Sequence, residues 1–362
     1  MKILVPAIAI LISLAACKTP QNNASTSASP NVDTLRYAPE KHFSNIRQLT
    51  FGGDNAEAYF SFNGKFLTFQ ATNEKWNVPC DQIFYMPIDG YKSAMPPMVS
   101  TGKGRTTCAY YMPGDKQILY ASTHLGSEAC PEVPRIVNGK YVWGIFPDFD
   151  IFVADLKGNI KKQLTSTPGY DAEATVSPDG KKIVFTSMRT GDLELYTMNI
   201  DGSAVKQITS ELGYDGGAFF SPDSKKLVFR ASRPRTPEEV STYKDLLSQG
   251  LVQPTLMEIY TCNADGSDIK QITSLGGANW APFFHPSGKK IIFSTNHHSK
   301  SGRQFNLFAV NIDGTGLEQI TFDTVFDAFP MFSPNGKKLV FASNRNNKGG
   351  RDTNLFIADW VE

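Results

Sequence analysis

From about residue 44 onward, apolar residues come in short runs, each broken off by Gly, Pro, Asn or Asp. Ala174-Thr175-Val176 and Lys182-Ile183-Val184-Phe185-Thr186 flank the turn residues Ser177-Pro178-Asp179-Gly180-Lys181. Glu194-Leu195-Tyr196-Thr197-Met198 and Val205-Lys206-Gln207-Ile208-Thr209 then flank Asp201-Gly202. Runs this short, rich in aromatic and β-branched residues, predict strands. Pro presets φ at one turn position and Gly accepts a positive φ at another, so the breaks predict tight turns. Asp-Gly between apolar runs predicts a hairpin.

The pattern repeats. The turn Ser177-Pro178-Asp179-Gly180-Lys181 returns as Ser221-Pro222-Asp223-Ser224-Lys225, His285-Pro286-Ser287-Gly288-Lys289 and Ser333-Pro334-Asn335-Gly336-Lys337. Weaker copies begin at Ser61 and Met112, which makes six, spaced 44 to 65 residues apart. Eight residues after each start stands an aromatic: Phe69, Tyr120, Phe185, Phe229, Phe293 or Phe341. A fixed period of this size, with four strands per unit, predicts an all-β, six-bladed β-propeller of four-stranded antiparallel blades. Gln163-Leu164-Thr165, Gln207-Ile208-Thr209, Gln271-Ile272-Thr273 and Gln319-Ile320-Thr321 read as outer strands, and Pro97-Met98-Val99-Ser100 as a degraded one. The last unit ends at Trp360 without its outer strand, while Arg47-Gln48-Leu49-Thr50 stands unused at the other end. The N-terminal strand 46–50 is therefore expected to close the last blade, hiding two open edges.

In a four-stranded meander, the loop between strands two and three lies on the same face as the loops between blades. All long insertions fall in that class: 73–81, 123–150, 233–257, 296–304 and 344–353. Elaborated loops on a rigid scaffold usually carry specificity. The largest holds a helix signal: Thr236 as N-cap, Pro237, Glu239 at the third helical position, an apolar stripe of Val240, Tyr243, Leu246 and Leu247, then Gly250. It reads as a lid packed on its own blade or as a docking helix for a partner.

A second register runs six residues before and twelve after each turn start. It pairs Asn55 with Asn73, Thr106 with His124, Asp171 with Arg189, Asp215 with Arg233, Asn279 with His297, and Asp327 with Arg345. All three Asp units carry Arg, and no other unit does. The pairs read as ties fixing the loops, as the polar wall of a central funnel, or as both. Glu57, Arg105, Tyr170, Glu173, Tyr214, Trp280 and Phe326 are expected near the funnel mouth. Aromatics beside a few charges suit a peptide segment or a sugar; packing between blades is the other reading.

Charge changes the picture only by exclusion. The 362 residues carry a formal net charge of +1 with no basic stripe, which argues against nucleic acid. Lys2 and the apolar run 3–14 form an export leader, followed by a tether rich in Ser, Thr, Asn, Ala and Pro over 18–43 and the propeller over 44–362. Leu14-Ala15-Ala16-Cys17 resembles a bacterial lipoprotein processing site, which implies a lipidated Cys17. Export favours disulfides among Cys80, Cys108 and Cys130, with Cys80 to Cys130 preferred; a zinc site adding His124 lacks ligand spacing. Cys262 reads as a buried thiol. No nucleophile elbow, His-Glu-x-x-His helix, phosphate loop or dinucleotide fingerprint occurs.

The unit Ser-Pro-Asp-Gly-Lys-Lys-Ile-Val-Phe-Thr-Ser-x-Arg, with Leu-Tyr-x-Met-Asn-x-Asp-Gly-Ser and Gln-Ile-Thr after it, resembles the WD40-like (PD40) repeats of the TolB propeller family, over about 44–362. The resemblance implies a periplasmic propeller that binds partners of the Tol–Pal machinery, including a peptidoglycan-associated lipoprotein. The α/β domain that TolB places before its propeller is missing. The same repeats occur in prolyl-oligopeptidase-like enzymes, whose hydrolase domain is also missing. The expectation is an exported, monomeric lipoprotein, anchored in the outer membrane and facing the periplasm. It would bind a protein or peptide and need no metal or cofactor. The alternative is an envelope hydrolase or lyase, or a non-catalytic subunit of one, acting on peptide or polysaccharide in the funnel.

Overall fold

The computed structural model describes residues 33–362 except 94, 133 and 135, so Cys17 and the leader lie outside the described residues. Six antiparallel sheets form the blades of a propeller. Blade 3 shows the regular plan: Asp171–Val176, Lys182–Ser187, Glu194–Asn199 and Lys206–Gln207, in sequence order from axis to rim. Ser177 Oγ donates to Asp179 Oδ1 at 2.6 Å and accepts from Lys182 N at 2.9 Å, so the motif ties its own turn. Gly180 takes φ 71°, as the sequence requires. The aromatics of the repeat (Phe69, Tyr120, Phe185, Phe229, Phe293 and Phe341) are all fully buried.

Closure joins the two ends of the chain. Phe43–Gln48 pairs antiparallel with Asn354–Trp360 as the fourth strand of blade 6. It starts three residues before the expected 46 because a bulge between Ser44 and Arg47 lets pairing resume. Pairing also continues beyond Gln48: Leu49 N donates to Leu355 O at 2.7 Å. In each regular blade the Thr of the outer Gln-Ile-Thr or Gln-Leu-Thr run accepts from the third strand. Ile151 N to Thr165, Leu195 N to Thr209, Ile259 N to Thr273 and Leu307 N to Thr321 measure 2.8–2.9 Å. Thr50 accepts from Leu355 N in the same way at 2.8 Å. In blade 1 the outer strand is reduced to a bridge between Phe84 and Met98, with Ser100 taking the Thr place.

The tether expected over 18–43 ends earlier than 43. Asp33 accepts from Ile46 N at 2.8 Å, the Tyr37 hydroxyl donates to Asp323 at 3.1 Å, and Glu40 is fully buried. Glu40 supplies a carboxylate to Arg345, which a polar composition alone does not reveal.

The two largest insertions meet each other. Trp143–Gly144, from the insertion of blade 2, pairs with Leu251–Val252, from that of blade 4. The helix Pro237–Ser248 begins with the expected capping box at Thr236 and buries Tyr243 and Leu246. Leu246 packs with Val142 and Leu251, so the helix braces this two-strand strap rather than its own blade alone. A disulfide between Cys80 and Cys130 fastens the insertion of blade 2 to blade 1. Cys108 and Cys262 are buried thiols.

Candidate functional site

Under the strap lies a cavity of about 840 Å³ on the insertion-bearing face. Its wall is built by a rule that the repeats make visible. Four residues before each turn start, the innermost strand bulges and one residue turns left-handed: Glu57, Cys108, Glu173, Gly217, Ala281 and Phe329, with φ between 45° and 58°. All six line the cavity. For a residue with a Cβ this conformation costs on the order of 1–2 kcal/mol, so five of the six blades hold a strained residue at the ring. Three residues further out, Asp54, Arg105, Tyr170, Tyr214, Ala278 and Phe326 form a wider ring at the mouth.

The inner ring has a polar arc and an apolar arc. Glu173 in blade 3 is fully engaged. It pairs with Arg230, and it accepts from the Tyr214 hydroxyl at 2.7 Å, the Thr186 hydroxyl at 2.8 Å and Gly217 N at 2.9 Å. Burial alone would raise its carboxyl, but Arg230 and these donors outweigh that and hold it below the usual range. Arg230 reaches the ring because residue 217 is Gly: a Cβ there would collide with the guanidinium. The guanidinium also lies over Trp143 and Tyr214, at 5.4 and 5.0 Å from their ring centres. Arg105 donates to Asp81 at 2.7 Å, beside the disulfide. Ala281 and Phe329 continue into an apolar wall in which Trp280 stacks on Phe305 at 4.4 Å.

Below the ring the axis is closed. Tyr59 of blade 1 and Phe219 of blade 4 meet with ring centres 5.6 Å apart, and Tyr110 and Phe283 complete the plug at 5.7 and 5.1 Å. The cavity therefore opens on one face only.

A family model described as TolB beta propeller domain matches residues 147–243. The fold is that of the TolB propeller. Among solved structures, a "putative TolB" from Agrobacterium tumefaciens superposes with TM-score 0.56 at 19% identity, covering 88% of this chain and 97% of that one. TolB from Acinetobacter baumannii gives TM-score 0.52 at 22% identity, covering 86% of this chain and 64% of that one. No curated protein matches the sequence.

The TolB-type ring sorts the expected site residues into two groups. Glu57, Arg105, Tyr170, Glu173, Tyr214 and Trp280 line the cavity, as does Phe326. The Asp and Arg register does not. Arg189 donates to both oxygens of Asp171 at 3.0 Å, Arg233 is bidentate on Asp215, and Arg345 donates to Asp327 at 3.0 Å. These are ties buried inside the blades, not a polar wall. Each arginine lies over aromatics of its own blade: Arg189 over Phe185 and Tyr196, Arg233 over Tyr260, Arg345 over Phe341 and Phe356.

The remaining blades fill the same places with other groups. His124 sits 4.5 Å from Phe152 and His297 4.7 Å from Phe308, so both are packing histidines away from the cavity. Burial lowers the pKa of each. Asn55 and Asn279 are fully buried and donate to backbone carbonyls at 2.7–3.0 Å. Among the described residues, no group of three or more His, Cys, Asp and Glu side chains is arranged to hold a metal ion.

Sequence reasoning missed Arg230, Cys108 and Trp143. Arg230 had a signal. Nine residues after each turn start stand Gln70, Ala121, Thr186, Arg230, Ser294 and Ala342, and the one cation among uncharged side chains, in the one blade with Gly at the ring, marks a charge aimed inward.

Proposed function

We propose that this chain is a cell-envelope binding propeller that takes a segment of a protein or peptide into the cavity on its insertion-bearing face. The observation that carries the reading is the shape of the site: about 840 Å³, open on one side, walled by aromatics with a few placed polar groups. Such a site falls within the size range of ligand pockets, roughly 300–1,000 Å³. The turn face offers only short, self-satisfied turns by comparison.

The envelope location rests on the leader pattern ending at Cys17, on the disulfide and on the TolB-type fold. A lipid on Cys17 makes the protein a periplasm-facing lipoprotein. Among the described residues no helix is long and apolar enough to cross a membrane.

Site-specific photo-crosslinking in cells tests the reading. A crosslinker at Arg303, on the cavity rim, is expected to capture a discrete partner, and Trp280→Ala to abolish the capture. Equal capture from Asp223 on the turn face, or capture indifferent to Trp280→Ala, overturns it.

A further inference from the structure

In the inner ring of the cavity one carboxylate has no ion-pair partner among the described residues. Glu57 stands in the inner ring at φ 52°, held there by the bulge of Asp54–Phe60. Its carboxylate accepts from the Tyr59 hydroxyl at 3.0 Å and meets the Cys108 thiol, both neutral donors. It belongs to no ion pair among the described residues. Of the three arginines that line the cavity, Arg230 is held by Glu173 and Arg105 by Asp81, while Arg303 lies exposed at the rim.

The equivalent acid of blade 3 shows the contrast, since Glu173 has a guanidinium and three further donors. A carboxylate taken out of water with no opposite charge is costly to keep. Burial pushes the Glu57 carboxyl up and Glu173 adds to the effect, against the opposing bonds from Cys108 and Tyr59 and the charge of Arg230, which is itself paired with Glu173. The next blade around the ring supplies Phe329, with Phe326 above it at 6.4 Å and Trp280 and Phe305 beyond. Aromatic faces attract organic cations, and apolar stems pack on them. The plug beneath stops any chain from threading through, so what enters is an end or a side chain.

We propose that the cavity is a receptor for an organic ammonium group on an apolar stem, its charge on the Glu57 carboxylate and its stem against Phe329, Phe326 and Trp280. The inference rests on reading this cavity as the binding site and names the group it recognises. An amino terminus and a lysine side chain both present that chemistry.

Three probes of one shape and different charge test it on the full chain: phenethylammonium, 2-phenylethanol and 3-phenylpropionate, followed by tryptophan fluorescence. Phenethylammonium is expected to bind about tenfold or more tightly than the alcohol, as hydrogen bonds to charged groups do, and the carboxylate most weakly. Glu57→Gln is expected to erase the preference, while Asp223→Asn on the turn face keeps it. Equal binding of the three probes, tightest binding of the carboxylate, or a preference that survives Glu57→Gln overturns the proposal. The charge series on the unaltered protein decides even where a variant folds poorly. A flat series with Trp280-dependent crosslinking intact sinks the ammonium site alone. A Glu57-dependent series without captured protein sinks the protein-partner reading alone.

Discussion

Glu40 and Arg345 stand 305 residues apart in sequence and meet in a buried ion pair, with Oε1 2.9 Å from Nη2 and Oε2 3.2 Å from Nη1. Asp327 and Asp323 share the same guanidinium, at 3.0 and 3.7 Å. The segment before the closing strand is thus part of the blade it closes. Glu40→Gln is expected to cost about 1.5–3 kcal/mol, the scale of hydrogen bonds to charged groups. Arg345→Ala, which leaves three buried carboxylates without their cation, is expected to cost about 3–5 kcal/mol. Urea denaturation of the purified protein checks both, and a Glu40→Gln variant of unchanged stability would refute the closure role.

Burial raises the Glu194 carboxyl to about 8, against the opposing bond from Thr209 and with Asp215 and Asp192 adding to the rise. Asp215 is raised to about 6 by burial, with Arg233 opposing. A folded pKa above the unfolded one contributes stability that is present in full below the unfolded value and lost as pH rises through the folded value. Stability is therefore expected to fall between about pH 5 and pH 8.5, and Glu194→Gln to flatten the upper part of the fall. The difference between the two proteins is expected to grow by roughly 2–4 kcal/mol over that range. Denaturation curves at several pH values measure it, and parallel profiles would contradict the assignment.

The disulfide between Cys80 and Cys130 closes a separation of 50 residues and anchors the insertion that carries Trp143. Replacing both cysteines by Ser is expected to lower stability by about 2–4 kcal/mol. It is also expected to speed amide exchange in the strap, at residues 136–145 and 251–252. Exchange that changes in blade 2 but not in the strap would separate the disulfide from the cavity roof.

The blades, the closure and the ties are legible in the six-fold repeat itself. Repeats align themselves: once the turns are superimposed, Asp171, Asp215 and Asp327 fall opposite their arginines by counting alone. The same counting points to the inner ring at Glu57, Cys108 and Glu173, but their left-handed backbone leaves no mark on residue type. Blade 5 has Ala281 and blade 6 Phe329 in the same conformation as Gly217. The strap is hidden for a different reason, because Trp143–Gly144 and Leu251–Val252 are too short to read as strands and their pairing crosses from one blade's insertion to another's.

The sequence by itself determined the scaffold, because a strand needs only local alternation and a turn only its Pro, Asp and Gly. It also determined where the ring is sealed, since one outer strand is missing at the C-terminus and one is left over at the N-terminus. Only the tertiary structure decided which polar residues face ligand and which face protein. Asp171 and Glu173 sit two residues apart on one strand, yet Asp171 is sealed in a tie while Glu173 lines the cavity. The bulge between them turns one carboxylate into the blade and the other toward the axis. Whether a carboxylate finds its cation likewise depends on neighbours from other blades: Arg230 reaches Glu173 through the gap at Gly217, and no such gap supplies Glu57.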